Sequence, residues 1–139
     1  MKGMEGEARE IEKLLEGNEP SFEYLLKCIF KLTSTEIEVY FTLHKNPGVG
    51  VDELAEMLGK DRSGVYRSLQ TLLEKGLVSR EYRILKQGGY KYLYIPLPLE
   101  ELKKRLKLAL EKWFAKLNCV IDAFNLDMPL RGEDICKSR

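Results

Sequence analysis

Between Asp61 and Gly76 the hydrophobic positions follow the spacing of an amphipathic helix. Apolar side chains recur at intervals of four, three and one residues, typical of a stripe that packs on a core, at Val65, Leu69, Leu72 and Leu73. At about 100° per residue the opposite side is polar, with Ser63, Arg67, Gln70 and Glu74, and with Arg62 and Tyr66 at its margin. Asp61 is a suitable N-cap, and Gly76 can end a helix in the left-handed conformation. The pattern predicts one helix over residues 61–75.

Two further helical patterns precede this helix. Thr33 and Glu36 match a capping box, which predicts a helix from that point to the breaker at residues 46–48. Residues 51–58 place apolar side chains at helical spacing, and Gly59 follows them. Because two helices joined by a short turn that contains Gly form a helix-turn-helix, we expect this motif over residues 51–75.

After Gly76 the pattern becomes that of a β-hairpin. Residues 77–85 and 90–98 are rich in β-branched, aromatic and aliphatic side chains, and Gly88 and Gly89 supply positive φ at the tip. Alternate positions of the second segment are tyrosines: Tyr90, Tyr92 and Tyr94. We expect at least two of these tyrosines to pack across the strand pair. Polar side chains near the exposed end are Lys86, Gln87 and Lys91.

The longest apolar stripe begins after Pro98 and predicts a helix of about seven turns. A helix of this length extends beyond a small domain, so its stripe needs cover. A second copy of the chain is the simplest cover, through helix packing between the two copies. The expected dimer contacts are Leu102, Leu106, Leu110, Trp113, Leu117, Ile121 and Phe124.

These patterns divide the chain into four parts. Residues 1–32 form an N-terminal helical extension, with helical patterns at 5–15 and again from Ser21, where Cys28 is expected to be a small core residue. Residues 33–98 form the helix-turn-helix and hairpin, residues 99–126 the long C-terminal helix, and residues 127–139 a tail. The predicted fold class is mainly α with a small β-hairpin (α+β).

Charge is unevenly distributed although the net charge is only +1. Residues 1–44 contain five Lys/Arg and nine Glu, a net charge of −4. Residues 60–91 contain eight Lys/Arg and three acids, a net charge of +5. A basic block of this kind is typical of a surface that binds a polyanion, although a solvated surface has the same composition.

No enzyme, cofactor or metal motif is present. The sequence contains no P-loop, GxGxxG, HExxH or GxSxG, and its one histidine, His44, is expected on an inward or helix-end position. We therefore expect a protein that is not an enzyme and needs neither cofactor nor metal. No apolar run is long enough for a membrane span, and the acidic N-terminus lacks the apolar region of a secretory signal, so we expect a cytoplasmic protein.

The order of elements over residues 33–98 resembles the winged helix-turn-helix fold of archaeal and bacterial transcriptional regulators. The segment DRSGVYRSLQTLLEKGLVSRE is similar to the recognition helix and first wing strand of TrmB-like and MarR-like regulators. The segment LTSTEIEVYFTLHKNPGVGVDELAEMLG is similar to the two helices that precede it in TrmB-like proteins. Larger TrmB-type regulators carry a sugar-binding domain after this module, and the chain is too short for one. The predicted helix after the module resembles the terminal dimerisation helix of small archaeal regulators.

The resemblance implies a homodimeric transcriptional regulator that binds double-stranded DNA. Its recognition helix, residues 61–75, lies in the major groove, and its wing, residues 84–92, contacts the flanking backbone or minor groove. The implied DNA contacts are Lys60, Arg62, Ser63, Tyr66, Arg67, Gln70, Lys86, Gln87 and Lys91. Among them Arg67 is the first candidate for a guanine contact and Gln70 for an adenine contact.

Two other functions are compatible with the same residues. A winged helix also serves as a protein-docking module in transcription and chromosome-organising complexes, and this alternative gains if the basic side chains do not converge on one surface. A redox-responsive regulator is the second alternative, because Cys119 and Cys136 can act as sensors when they are exposed and their pKa is lowered, whereas a redox role for Cys28 is left open.

Overall fold

The computed structural model describes residues 20–131. Within this range the helices are α1 (Phe22–Ile29), α2 (Ser34–Lys45), α3 (Val51–Leu58), α4 (Arg62–Glu74) and α5 (Leu99–Ala123), and the strands are β1 (Val78–Ile84) and β2 (Tyr90–Pro96). The predicted α+β class and order of elements are confirmed. The helix predicted at residues 5–15 and the end of the predicted tail lie outside the described residues. No helix in the described range is long and apolar enough to cross a membrane.

The ends of α2 and α4 follow local signals in the sequence. The Thr33 side chain accepts a hydrogen bond from the backbone N–H of Glu36, whose carboxylate accepts one from the N–H of Thr33. Gly76 has a φ of 72°, and the next N–H, that of Leu77, donates to the carbonyl of Leu72 at 2.9 Å. This is the Schellman arrangement that ends a helix. The predicted capping box and the left-handed Gly76 are both confirmed.

The strands β1 and β2 form an antiparallel hairpin with Tyr82 opposite Tyr92. The tip residues Gly88 and Gly89 have φ angles of 94° and 81°, as predicted. The N–H of Tyr94 donates to the carbonyl of Val49 at 3.3 Å, so β2 also contacts the segment that leads into α3. The hairpin is therefore attached to the helix-turn-helix through β2.

The core lies where α2, α3 and α4 meet the base of the hairpin and the first turns of α5. Its fully buried side chains include Val39, Leu43, Leu54, Val65, Leu69, Leu72, Leu77 and Leu102. The hydroxyl of Tyr40 donates to the backbone carbonyl of Leu97 at 2.6 Å, which joins α2 to the segment after β2. Burial raises the pKa of Tyr40 to about 12, so this hydroxyl is protonated and donates at neutral pH.

Two sequence predictions about buried and exposed positions are wrong. Leu102 and Leu106, expected in the dimer contact, are 1% and 4% exposed and pack inside the core of their own chain. The first turns of α5 lie against α1 and the core, and this contact covers the start of the apolar stripe. Cys28, expected in the core, is instead a free thiol on the exposed side of α1. Cys119 lies on α5, and Cys136 lies outside the described residues.

Beyond Leu106 the apolar side chains of α5 are exposed. Trp113 is 58% exposed and Ile121 is 71% exposed. Other large apolar side chains that are exposed on this part of the helix are Leu108, Leu110, Phe114, Leu117 and Val120, with Phe124 just after it. Monomeric soluble proteins rarely expose a continuous apolar surface of this kind, so α5 presents a face suited to a protein partner.

The bond from Tyr40 to Leu97 gives a first prediction. Replacing Tyr40 with Phe keeps the ring but leaves a part-buried carbonyl without its donor, so the free energy of unfolding should fall by about 1 kcal/mol. Urea unfolding at equal protein concentration measures the change, with Tyr82→Phe on the exposed hairpin as the matched control. Equal stability of the two variants would contradict a structural role for the Tyr40 hydroxyl.

Candidate nucleic-acid interface

The N-terminal half of α4 presents polar side chains to solvent. Val65 and Leu69 are fully buried, which turns the opposite side of the helix outward. Exposed on that side are Arg62, Ser63, Tyr66 and Arg67. The Ser63 hydroxyl donates to the Asp61 carboxylate just before the helix, and this hydrogen bond lowers the pKa of the Asp61 carboxyl. The predicted outward face is thus present at the start of the helix.

A cleft separates α4 from the hairpin, and we call it the hairpin cleft. It has a volume of about 330 Å³, and its walls are the start of α3, the start of α4 and the strand β2. Arg62 and Tyr66 line it from α4, and Lys91 and Tyr92 line it from β2. Three of the predicted DNA contacts, Arg62, Tyr66 and Lys91, therefore share one surface.

Both cations of the hairpin cleft are paired with acids in the first turn of α3. The Nε of Arg62 lies 2.6 Å from Oδ1 of Asp52, and the ammonium of Lys91 forms an ion pair with Glu53. Asp52 and Glu53 lie outside the basic block of the sequence, and the fold brings them to it. The positive charge at this surface is therefore lower than the composition of residues 60–91 suggests.

A second cleft lies on the other side of α4, between α4 and the start of α2. Its volume is about 420 Å³, and its lining includes Lys60, Arg67 and Thr35. Lys60 lies 3.7 Å from a carboxylate oxygen of Glu38. The guanidinium of Arg67 forms no ion pair or hydrogen bond with any other residue of the described range, although the Arg67 backbone carbonyl accepts a hydrogen bond from the Thr71 hydroxyl. Its guanidinium is thus available to a ligand that lies along α4.

The remaining predicted contacts differ in their exposure. Lys86 and Gln87 are exposed at the tip of the hairpin. Gln70 is partly buried, and its Nε2 is hidden from solvent and makes no hydrogen bond to any of residues 20–131. A bidentate contact with adenine needs both the oxygen and the nitrogen of the amide, so this arrangement does not support the role predicted for Gln70.

Some basic residues of the block have structural partners instead. The Nζ of Lys75 donates to the carbonyls of Phe30 and Lys31 at 2.6 and 3.2 Å, which ties the end of α4 to the segment after α1. Arg83 lies 3.7 Å from Glu81 on the same strand. The net charge of the block therefore overstates the number of cations that face one surface.

The hairpin contributes an aromatic surface that the sequence analysis did not assign to the site. Tyr82 and Tyr90 stack with ring centroids 5.0 Å apart, and both are more than half exposed. Tyr92 contacts both rings edge-on, and the guanidinium of Arg80 lies 4.5 Å from the Tyr92 centroid. Residues 80, 82 and 84 of β1 lie on the same face of the hairpin as the three tyrosines of β2. Which of them are paired follows from the strand register, which the sequence alone does not give. Exposed tyrosine hydroxyls and arginine are common contacts of nucleic-acid phosphates.

These elements define the class of the protein. Two helices joined by a three-residue turn, with Gly59 at a φ of 62°, are followed by a two-stranded hairpin beside the second helix, which is a winged helix-turn-helix. The family model described as the sugar-specific transcriptional regulator TrmB matches residues 26–100. This match covers more than half of the chain, which therefore belongs to the TrmB family of transcriptional regulators. The resemblance to TrmB-like winged-helix regulators is confirmed.

Archaeal proteins are among the relatives. The uncharacterized protein MJ1503 of Methanocaldococcus jannaschii is 39% identical over 93 residues, which cover 67% of this chain and 70% of that protein. The uncharacterized protein MJ1082 of the same organism is 35% identical over 94 residues, covering 68% and 78%. A solved structure described as a possible transcriptional regulator from Methanosarcina mazei Go1 aligns with a TM-score of 0.67 at 26% identity, covering 74% of this chain and 88% of that one.

Proposed function

We propose that this chain is a sequence-specific regulator of transcription that binds double-stranded DNA in the cytoplasm as a homodimer. The observation that carries the proposal is the exposed N-terminal half of α4, held beside the hairpin by the core. Membership of a family of DNA-binding transcriptional regulators supports it. In helix-turn-helix proteins the second helix of the motif enters the major groove, and its N-terminal residues contact the base edges.

Base contacts are assigned to the exposed side of α4. Arg62 and Arg67 can each make two hydrogen bonds to guanine, while Ser63 and Tyr66 can contact either bases or phosphates. Gln70 is left out of this set because its amide nitrogen is buried. Arg62 faces the hairpin cleft and Arg67 faces the cleft beside α2, so the two arginines lie on different sides of the helix.

Phosphate contacts are assigned to cations around α4 and on the hairpin. Lys60 and Lys91 border the two clefts, and Lys86 and Gln87 lie at the hairpin tip. The ion pairs of Lys60 and Lys91 are at the surface, where such pairs are weak, so phosphate oxygens can replace their carboxylate partners. Contacts of this kind position the protein and make its affinity depend on salt.

The homodimer is assigned to the exposed apolar side of α5. This helix has 25 residues, and in the described structure only Leu102 and Leu106 are buried. A second copy packed around Trp113, Leu117 and Ile121 would cover the exposed side chains in a symmetric interface. Two copies joined in this way would present two α4 helices to half-sites about 34 Å apart, one turn of the duplex.

The DNA-binding proposal predicts different effects for an arginine of α4 and a lysine of the hairpin tip. Arg67→Ala should weaken binding to a selected site by about tenfold or more and change binding to random DNA little, because a bidentate guanine contact is lost. Lys86→Ala should weaken binding to both DNAs and reduce the slope of log affinity against log salt by about one. Fluorescence anisotropy with both duplexes at several salt concentrations measures these effects. Equal losses on both DNAs for Arg67→Ala would remove this residue from base reading.

The dimer proposal predicts that a charge in the middle of the α5 stripe separates the copies. Trp113→Lys and Ile121→Lys should each shift the protein from dimer to monomer, because they place an ammonium in an apolar interface. Analytical ultracentrifugation measures the change, with Asn118→Lys, which adds the same charge at an exposed polar position, as the control. A wild-type protein that sediments as a monomer would contradict the proposed assembly.

A further inference from the structure

Arg62, the first residue of α4, is held by only one edge of its guanidinium. Its Nε donates to Oδ1 of Asp52 at 2.6 Å. Within the described residues the two terminal nitrogens of Arg62 make no hydrogen bond. The side chain is largely exposed and lines the hairpin cleft next to Tyr66. One carboxylate therefore engages the Nε edge of the guanidinium and leaves its outer edge free.

The free edge has the geometry of a guanine reader. A guanidinium carries five N–H donors in a rigid plane, and one N–H on each terminal nitrogen points away from Nε. This pair of donors matches the O6 and N7 acceptors that guanine presents in the major groove. An arginine whose orientation is already favoured by a carboxylate loses less side-chain entropy when it makes this contact.

We infer that Asp52 is a positioning residue for base recognition and holds Arg62 so that its outer edge reads a guanine. The inference rests on the proposed function, since it concerns the orientation of one DNA contact. Asp52 lies on α3, the helix before α4. Base specificity would therefore depend on an acidic residue that does not itself contact the base. The inference assigns the guanine contact already proposed for Arg62 to the outer edge of its guanidinium.

The neighbouring ion pair provides an internal comparison. Glu53 follows Asp52 in the first turn of α3 and pairs with Lys91 across the same cleft. A lysine ammonium is a point charge without a plane to orient, so its partner affects only the local charge. Removing either acid deletes one negative charge from the same surface, but only the loss of Asp52 releases a guanidinium. The pair of Arg62 and Asp52 is exposed and adds little to stability, so the fold does not depend on it.

The experiment uses the full chain and a duplex selected by the wild-type protein from a random library. The proteins compared are the wild type, Asp52→Ala, Asp52→Asn, Glu53→Ala and Arg62→Lys. For each one, affinities are measured for the selected duplex, for every single-base-pair variant of it, and for random DNA. Circular dichroism melting checks that all variants are folded. The readout is the ratio of specific to random binding, together with the base pair at which a preference is lost.

Asp52→Ala should lower this ratio by about threefold to fivefold, the range that an exposed ion pair can supply, and the weakened preference should lie at one G·C pair. Arg62→Lys, which keeps the charge and lacks the fork, should lose the preference at the same pair. Asp52→Asn keeps an oxygen that can accept from Nε, so it should retain more of the ratio than Asp52→Ala. Glu53→Ala should strengthen binding to both duplexes equally and leave the ratio unchanged.

Parallel changes on both DNAs for Asp52→Ala and Glu53→Ala would overturn the inference, because they would show an effect of charge alone. Losses at different base pairs for Asp52→Ala and Arg62→Lys would also overturn it, as would equal losses for Asp52→Ala and Asp52→Asn. The proposed function fails in a different way, namely when the wild-type protein selects no sequence from the library. The two failures are therefore distinguishable in one set of measurements.

Discussion

The burial of one side of α4 is the constraint on which the rest of the structure depends. Val65, Leu69 and Leu72 are fully buried, and they fix the rotation of the helix about its axis. With that rotation set, Arg62 must face the hairpin cleft and Arg67 must face the cleft beside α2. The position of a residue along a helix sets the direction of its side chain. A polar substitution at one of these buried positions would therefore disturb the exposed side of α4 as well as the core.

Acids from other elements control the charge of that surface. Asp52, Glu53 and Glu38 bring carboxylates to Arg62, Lys91 and Lys60, so the surface attracts a duplex less strongly than a bare cluster of cations would. Most of the affinity for random DNA comes from cation–phosphate contacts, whereas recognition comes from base contacts. In the proposed sequence-specific function, paired cations on this surface lower random binding more than specific binding.

Features set by local signals in the sequence were predictable, whereas features that depend on tertiary contacts were not. The capping box at Thr33, the left-handed Gly76 and the glycines at the hairpin tip were all predictable, because each is set by residues close in sequence. The apolar stripe of α5 was interpreted as one surface, but its first turns belong to the core and only the later turns are exposed. The ion pair of Arg62 with Asp52 spans ten positions and two helices, and the tyrosine surface requires the strand register. Neither is visible in the periodicity of the sequence.

The central claim is that two copies hold two α4 helices against one side of a duplex. Hydroxyl-radical footprinting of the wild-type protein on its selected duplex tests this claim most directly. We expect two protected patches on the same side of the DNA, with centres about 10 base pairs or a multiple of that apart. A single patch of protection, or uniform protection without a preferred side, would contradict it.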